Sequence, residues 1–245
     1  MSKYIDINCD LGEGIGNESE LMPLISSCNI ACGGHAGDKV TMAAVADLAS
    51  CYDVNIGAHP SFPDKANFGR KIIDISPEHL KRSLTKQITD LKEVLKEKQL
   101  EMHHVKPHGA LYNLVTVEKQ AAIIVVDVIK TIGRNLVLFA PYGSVISNIA
   151  LKEGLKIKFE AFADRNYNDD LTLVSRRNSK ALIHDKENLF NHVFKMVSEG
   201  RVTTLNGVEV SLKADTFCVH GDGKNVVENL RYLADKLHEN NIKIL

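Results

Sequence analysis

The sequence lacks the features that mark several broad classes of protein. Its 245 residues carry 30 basic and 31 acidic side chains, a formal net charge of -1, so no global field attracts nucleic acid or a membrane surface. No apolar run approaches the roughly 18 residues of a membrane-spanning helix, and the first residues lead into a strand without a signal-peptide pattern. These absences predict a soluble cytoplasmic protein without nucleic-acid or membrane partners, in which local cations hold any anionic ligand.

Motifs of three enzyme classes are also missing. No Gly-x-Gly-x-x-Gly lies at a strand–helix junction, which argues against a dinucleotide crevice. No Gly-x-Ser-x-Gly elbow is present, which argues against acyl-enzyme chemistry. The Walker A motif is absent too, so if a nucleotide is used, this chain does not bind it by that route.

The cysteines do not form a recognisable framework. They are odd in number and scattered, which argues against disulfides; they are Cys9, Cys28, Cys32, Cys51 and Cys218. Cys28 and Cys32 have a spacing that suits metal, but no second Cys or His pair completes a structural zinc site. Buried reduced thiols are therefore the better interpretation.

Apolar strand-like runs alternate with longer helical patterns along the chain. Strands are predicted at 3–9, 28–32, 54–58, 102–106, 136–140, 156–162 and 216–220. Helices are predicted at 39–51, 77–98, 117–131, 143–152, 185–199 and 225–239. This alternation predicts an α/β fold, a distorted seven-stranded (β/α) barrel forming one domain over 1–245.

Two segments stand outside the alternation. An Asn-Gly pair at Asn206 and Gly207, flanked by alternating residues, predicts a β-hairpin inserted near 202–211. The tail at 242–245 is either an eighth strand or an arm that packs on the bottom of the barrel.

Polar side chains recur where the predicted strands end. Ligand chemistry in such barrels sits at the carboxyl ends of the strands, so these side chains are the candidates for a site. A histidine follows the third strand directly at His59, and Pro60 then directs the exit of the chain. Lys106 and His108 lie two residues apart and point to one face. A lysine in a barrel mouth is costly unless it meets an anion, which makes Lys106 the preferred charge stabiliser.

The remaining candidates have both a functional and a structural interpretation. His35 lies between two flexible turns and is hard to assign to packing, whereas Asp38 is equally a helix N-cap. Asp164 and Arg165 could form a surface ion pair, and turn chemistry explains Asp222 equally well. Carboxylates beside several histidines indicate an enzyme that uses general acid and base groups without a metal, or one that holds a divalent ion. The residues alone leave both alternatives open.

Five ordered motifs resemble the LamB/YcsF family and together cover nearly the whole chain. They are DINCDLGE at 6–13, SCNIACGGHAGD at 27–38, NIGAHPSFPD at 55–64 with FGR at 68–70, VKPHGALYN at 105–113, and ADRNY at 163–167. The resemblance implies a (β/α) barrel related to the glycoside hydrolase/deacetylase group. It also implies ATP-dependent hydrolytic opening of 5-oxo-L-proline to L-glutamate, the 5-oxoprolinase reaction, by a complex with two partner subunits, B and C, that consumes ATP.

One motif departs from the family pattern. After Tyr167 the family usually continues with Asp-Gly and then Leu-Val-Pro-Arg, whereas this chain has Asp169 and Asp170 and then LVSR at 173–176. The missing glycine and prolines bear on the conformation of loop 168–180 and, through it, on any role of Arg176.

The resemblance and the strand-end pattern together predict the site. The predicted catalytic residues are Asp10, His59, Lys106, His108 and Asp164. The predicted substrate-binding residues are Asp6, Asn8, Glu13, Asn29, His35, Arg70, Asn113 and Arg165. If a divalent metal ion is bound, its predicted ligands are Asp10, His59 and His108. Two alternatives remain: a stand-alone metal-dependent amide hydrolase or deacetylase, and a non-catalytic substrate-binding subunit.

Overall fold

A closed barrel of seven parallel strands forms the centre of the computed structural model, which describes residues 3–245. The strands in chain order are β1 (Lys3–Leu11), β2 (Ser27–Ala31), β3 (Asn55–His59), β4 (His104–Val105), β5 (Val137–Pro141), β6 (Lys156–Phe162), β7 (Arg201–Thr203), β8 (Glu209–Ser211), β9 (Thr216–His220) and β10 (Ile242–Ile244). Strands β1 to β6 pair in sequence, and β9 pairs with both β6 and β1 to close the ring. The predicted seven-stranded barrel is confirmed.

Helices follow the barrel strands and cover the outside of the ring. They are α1 (Glu18–Leu21), α2 (Lys39–Cys51), α3 (Pro77–Glu97), α4 (Gly109–Val117), α5 (Lys119–Ile132), α6 (Val145–Lys152), α7 (Lys186–Glu199) and α8 (Val226–Glu239). Side chains cap several of them as their sequences indicate: Asp38 accepts from the Thr41 amide at 2.8 Å, and Ser76 accepts from the His79 amide at 3.3 Å. Among residues 3–245, no helix is long and apolar enough to cross a membrane.

The helix predicted at 117–131 is in fact the second of two. Glu118 ends α4 and caps α5, since its carboxylate accepts hydrogen bonds from the amides of Gln120 and Ala121. Helix α4 begins at Gly109 without a side-chain cap, so no local signal marks its start. Packing of its apolar face, with Leu111 buried, stabilises it instead.

The two additional strand segments lie outside the ring. Strands β7 and β8 pair antiparallel as a separate hairpin, with Asn206 and Gly207 in its turn. Strand β10 pairs in parallel with Lys3–Ile5 at the start of β1. Because β10 pairs with no other described strand than the start of β1 and the ring already closes through β9, the tail is not an eighth barrel strand.

Polar side chains fill the interior of the barrel, and the candidate site is built from them. Along β1, Asn8 and Asp10 point inward and make hydrogen bonds to side chains of other strands, while Ile7 and Cys9 point outward into the apolar layer below the helices. Both faces of the strand are therefore buried. Buried polar groups are tolerated where they are hydrogen-bonded, and the inward side chains form such a network.

Candidate active site

A cavity of about 580 Å³ opens at the carboxyl ends of the barrel strands. Its lining includes Asp10, Glu13, His59, Lys106, His108 and His220, which come from β1, β3, β4 and β9 or the segments directly after them. The loop at 171–177 lines the cavity from the side of β6. Residues that lie far apart in the chain meet here because parallel strands end at the same edge of the sheet.

Lys106 and Asp10 form the floor of this cavity. The Lys106 ammonium lies 2.9 Å from Asp10 Oδ1, 3.0 Å from Glu160 Oε1 and 2.9 Å from Cys218 Sγ, and all four side chains are buried. Burial alone would raise the pKa of Asp10, but His59 and Lys106 hold it well below its usual range. Burial likewise opposes charge on Lys106, yet Asp10, Cys218 and Glu160 raise its pKa well above the ordinary value. The pair is therefore a buried carboxylate and a buried ammonium.

Two histidine nitrogens face each other beside this pair. His59 Nδ1 lies 2.7 Å from the Lys106 carbonyl oxygen, and His108 Nε2 lies 3.0 Å from the Phe68 carbonyl oxygen. A carbonyl oxygen can only accept, so these two ring nitrogens carry the protons of the neutral rings. In the neutral rings the other nitrogens, His59 Nε2 and His108 Nδ1, carry no proton, and these two nitrogens lie 3.0 Å apart.

Glu13 and His35 complete this group of side chains. Glu13 Oε1 lies 2.8 Å from His35 Nε2, 3.4 Å from His108 Nδ1 and 4.0 Å from His59 Nε2. The His35 ring stacks parallel on His108 with centroids 3.6 Å apart. Burial raises the pKa of Glu13 to about 7 and lowers the pKa of His35 to about 4, and burial with the neighbouring imidazoles lowers the pKa of His108. Neutral rings are therefore favoured at His35 and His108.

The same group fits a divalent metal ion. Glu13, His35, His59 and His108 each offer a ligand atom within 4.8 Å of the others. The facing nitrogens of His59 and His108 repel each other unless a cation or a proton lies between them. Three imidazoles with a carboxylate also suit metals that prefer nitrogen and oxygen ligands.

A second group, Asp10, Cys218 and His220, also has metal-compatible spacing. Asp10, a predicted ligand, lies beside the first group, with Oδ2 3.3 Å from His59 Nε2.

Asp164 orients a histidine at the edge of the cavity. Its carboxylate oxygens lie 2.9 and 3.0 Å from His220 Nδ1, and one also accepts the backbone amide of His220 at 3.0 Å. Burial would raise the pKa of Asp164, but the contact with His220 lowers it. A carboxylate at Nδ1 leaves Nε2 of His220 as the nitrogen available for proton transfer.

Arg165 makes its hydrogen bonds to its own loop. Its guanidinium donates to the carbonyl oxygens of Val174 at 2.7 Å and Ala181 at 3.4 Å, although the side chain also lines the cavity. The hydrogen bond to Val174 holds loop 168–180, the segment in which the chain departs from the family pattern, against the Arg165 side chain. Arg70 lines the cavity and pairs with Asp222 at 2.7 Å.

The other predicted residues divide between the cavity and the barrel interior. Asn113 lines the cavity. Asp6, Asn8 and Asn29 are fully buried below it and do not line it. Asp6 accepts hydrogen bonds from Ser27 and Lys158 near the amino ends of the strands, so it lies farthest from the mouth.

Sequence reasoning did not single out two buried polar residues that line the cavity. Glu160 Oε2 and the Tyr112 hydroxyl have no hydrogen-bond partner within residues 3–245. Burial and the nearby Glu160 raise the pKa of Tyr112. The period of two along β6 places Glu160 on the inward face with Lys158 and Phe162, and that signal could have found it. No comparable signal exists for Tyr112, since it belongs to the unpredicted helix α4.

Comparison with known proteins agrees with this architecture. The 5-oxoprolinase A subunits of Thermococcus sibiricus and Pyrococcus horikoshii are 43% and 42% identical to the chain over 246 residues, covering 98% of the chain and 96% of each relative. The crystal structure of the lactam utilization protein from Thermus thermophilus superposes with a TM-score of 0.92 at 35% identity and 98% coverage of both chains. The family description of LamB/YcsF matches residues 5–245, and the chain belongs to the LamB/YcsF family.

Proposed function

We propose that this chain is the A subunit of a cytoplasmic 5-oxoprolinase, a single-domain barrel that hydrolyses the ring of 5-oxo-L-proline to L-glutamate. The observation that carries the proposal is the cavity floor, where Asp10 is held as a carboxylate by buried Lys106 and lies beside Nε2 of His59. The names of relatives 42–43% identical over almost the whole chain support the substrate.

The partner subunits, B and C, supply the ATP chemistry in this proposal. The five-membered lactam is a stabilised amide, and phosphorylation of its oxygen by ATP would activate the carbonyl carbon. The chain has no Walker A motif, so we assign the nucleotide to the partners and the hydrolysis of the activated ring to this chain. Water adds its oxygen to the carbonyl carbon of the activated ring, the ring C–N bond breaks and the nitrogen takes a proton, which leaves an acyl phosphate. A second water molecule then releases inorganic phosphate and gives L-glutamate.

Asp10 is the group proposed to prepare the water. Its Oδ1 is occupied by hydrogen bonds from Lys106 and Asn29, at 2.9 and 2.8 Å, which leaves Oδ2 to face the cavity and His59. Oδ2 can therefore accept a proton from a water molecule placed between it and the carbonyl carbon. The role of Lys106 is to keep Asp10 ionised, since its ammonium already contacts Asp10, Glu160 and Cys218.

His220 is proposed to protonate the departing ring nitrogen. Asp164 holds Nδ1, so Nε2 can donate a proton to the ring nitrogen and afterwards accept one as a base. Anionic oxygens of the substrate can meet Arg176 and Arg177, which line the cavity and form no ion pair with any described residue. Arg70 and Asn113 are the remaining polar groups on that side.

We also propose that Glu13, His35, His59 and His108 hold a divalent metal ion. Such an ion, when bound, polarises a carbonyl group and lowers the pKa of a coordinated water molecule. Isothermal titration with zinc should show one site per chain in the native protein and no such site after combined His59→Ala and His108→Ala substitution. Substitution of the exposed His79 by Ala serves as the control and should leave the titration unchanged. Undiminished zinc binding by the double variant would refute this ligand set.

The proposed function is tested by reconstitution with the B and C subunits. Glutamate formation from 5-oxo-L-proline should require all three subunits and ATP, and omission of this chain should abolish glutamate formation. Turnover of a simple amide by this chain alone, without ATP and sensitive to chelator, would instead identify a stand-alone metal-dependent amide hydrolase. If site variants bind 5-oxo-L-proline less tightly and the bound substrate is still turned over at the native rate, the chain is a non-catalytic binding subunit.

A further inference from the structure

We infer that His104 is a positioning residue for Asp10 and acts on it through Asn29. His104 lies at the start of β4, fully buried, and lines no part of the cavity. The inference rests on the proposed function insofar as Asp10 is taken to act on the water. Its structural part, the orientation of the Asn29 amide, can be tested without any activity.

The barrel interior is built to hold the His104 ring in one place. The ring stacks on Phe139 with centroids 4.0 Å apart and planes 8° from parallel. On its other side lies Gly57, where an added Cβ would be 2.1 Å from His104 Nε2. Since neither the stacked ring nor the strand backbone can move away, β3 requires glycine at this position. The imidazole thus occupies the space that a side chain at position 57 would fill.

Hydrogen bonds from this ring lead in one direction to Asp10. His104 Nε2 lies 2.8 Å from Asn29 Oδ1, an oxygen that only accepts, so the proton is on Nε2. The Asn29 amide nitrogen then donates to Asp10 Oδ1 at 2.8 Å and to Asn8 Oδ1 at 2.7 Å. At the other end, His103 Nδ1 lies 3.1 Å from His104 Nδ1. Burial lowers the pKa of His104 well below its ordinary value, so that Nδ1 is an acceptor.

The hydrogen bond from His104 determines which end of the Asn29 amide meets the Asp10 carboxylate. Without a donor at Oδ1, the amide could turn over and present its oxygen to Asp10, where two acceptors would repel each other. With His104 in place, both Asn29 amide protons have acceptors and Asp10 Oδ1 is saturated. Oδ2 therefore keeps its orientation toward His59 and the cavity.

Steady-state kinetics of the reconstituted complex separate positioning from packing. His104→Phe keeps an aromatic ring against Phe139 but removes the donor, and it should lower kcat by about 10- to 100-fold with KM unchanged. His104→Gln restores an N–H group close to the position of Nε2 and should recover most of the loss. His238→Phe, at an exposed helix residue, is the control and should have native kinetics. Native kcat in His104→Phe would overturn the inference.

A double-mutant comparison tests the route through Asn29. If His104 acts through Asn29, then His104→Phe in an Asn29→Ala background should cause no further loss of kcat. Additive losses would overturn the proposed route, because they would show that the two side chains act independently.

Nuclear magnetic resonance of asparagine-labelled protein provides a readout that needs no turnover. The side-chain amide signal of Asn29, assigned by its disappearance in Asn29→Ala, should exchange slowly in the native chain and in His104→Gln. It should shift and exchange faster in His104→Phe. An unchanged signal would overturn the inference. If the native complex formed no glutamate while the signal responded as expected, the proposed function would fail and the positioning of Asn29 would stand.

Discussion

Replacement of Asp10 by asparagine should abolish glutamate formation by the reconstituted complex. Asparagine has nearly the same shape, but its amide cannot accept a proton from water, and a positioned general base contributes about 10²- to 10⁴-fold to a rate. The change leaves the cavity volume intact and removes one of the two carboxylates that contact Lys106. Product glutamate measured by enzymatic assay, with ATP hydrolysis followed in parallel, checks the expectation.

The controls for Asp10→Asn separate chemistry from folding. Asp74→Asn, at an exposed loop residue, changes the same functional group at the surface and should retain full activity. The thermal midpoint of Asp10→Asn should show that the variant is folded under assay conditions. Glutamate formation at the native rate by the folded variant would contradict the assignment of Asp10.

Replacement of Lys106 by methionine should both inactivate and strongly destabilise the protein. Lys106 is the cation that contacts Asp10 and Glu160, and all three side chains are buried. Removing one partner of a buried ion pair leaves an uncompensated charge and typically costs about 3–5 kcal/mol. Urea denaturation at neutral pH should therefore show a free energy of unfolding lower by about that amount.

A matched triple variant tests whether uncompensated charge is the cause. Combining Lys106→Met with Asp10→Asn and Glu160→Gln removes both carboxylates, so much of the lost stability should return while activity stays absent. If Lys106→Met alone unfolded within about 1 kcal/mol of the native chain, the buried ion cluster would not be important for stability.

Local patterns predicted much of the fold because their physical causes are local. Ser76 followed by Pro77 indicates the start of α3, and the Asn206–Gly207 pair indicates a hairpin turn; both elements are present in the structure. Helix α4 was missed because it begins at Gly109 without a cap and depends on packing against the rest of the barrel. Its existence is decided by tertiary contacts, which a window of nine residues does not contain.

Depth along the barrel axis could not be read from the pattern of side chains. Asp6, Asn8 and Asp10 share the inward face of β1, and the sequence predicted all three as site residues. Only Asp10 reaches the cavity, because each step of two residues along a strand moves the side chain by about 6.6 Å. The level at which the cavity begins depends on the side chains that fill the barrel from the other strands.

The sequence by itself determined the family, the alternation that makes a barrel, and the kinds of groups placed at the strand ends. Tertiary structure alone decided which groups meet. It paired His220 with Asp164 across 56 residues and Lys106 with Asp10 across 96, turned Arg165 toward its own loop, and set the histidine nitrogens of the cavity face to face. The reason is physical: proton positions, pKa shifts and metal fit depend on distances of a few ångströms between strands that close into a ring, and no local pattern contains those distances.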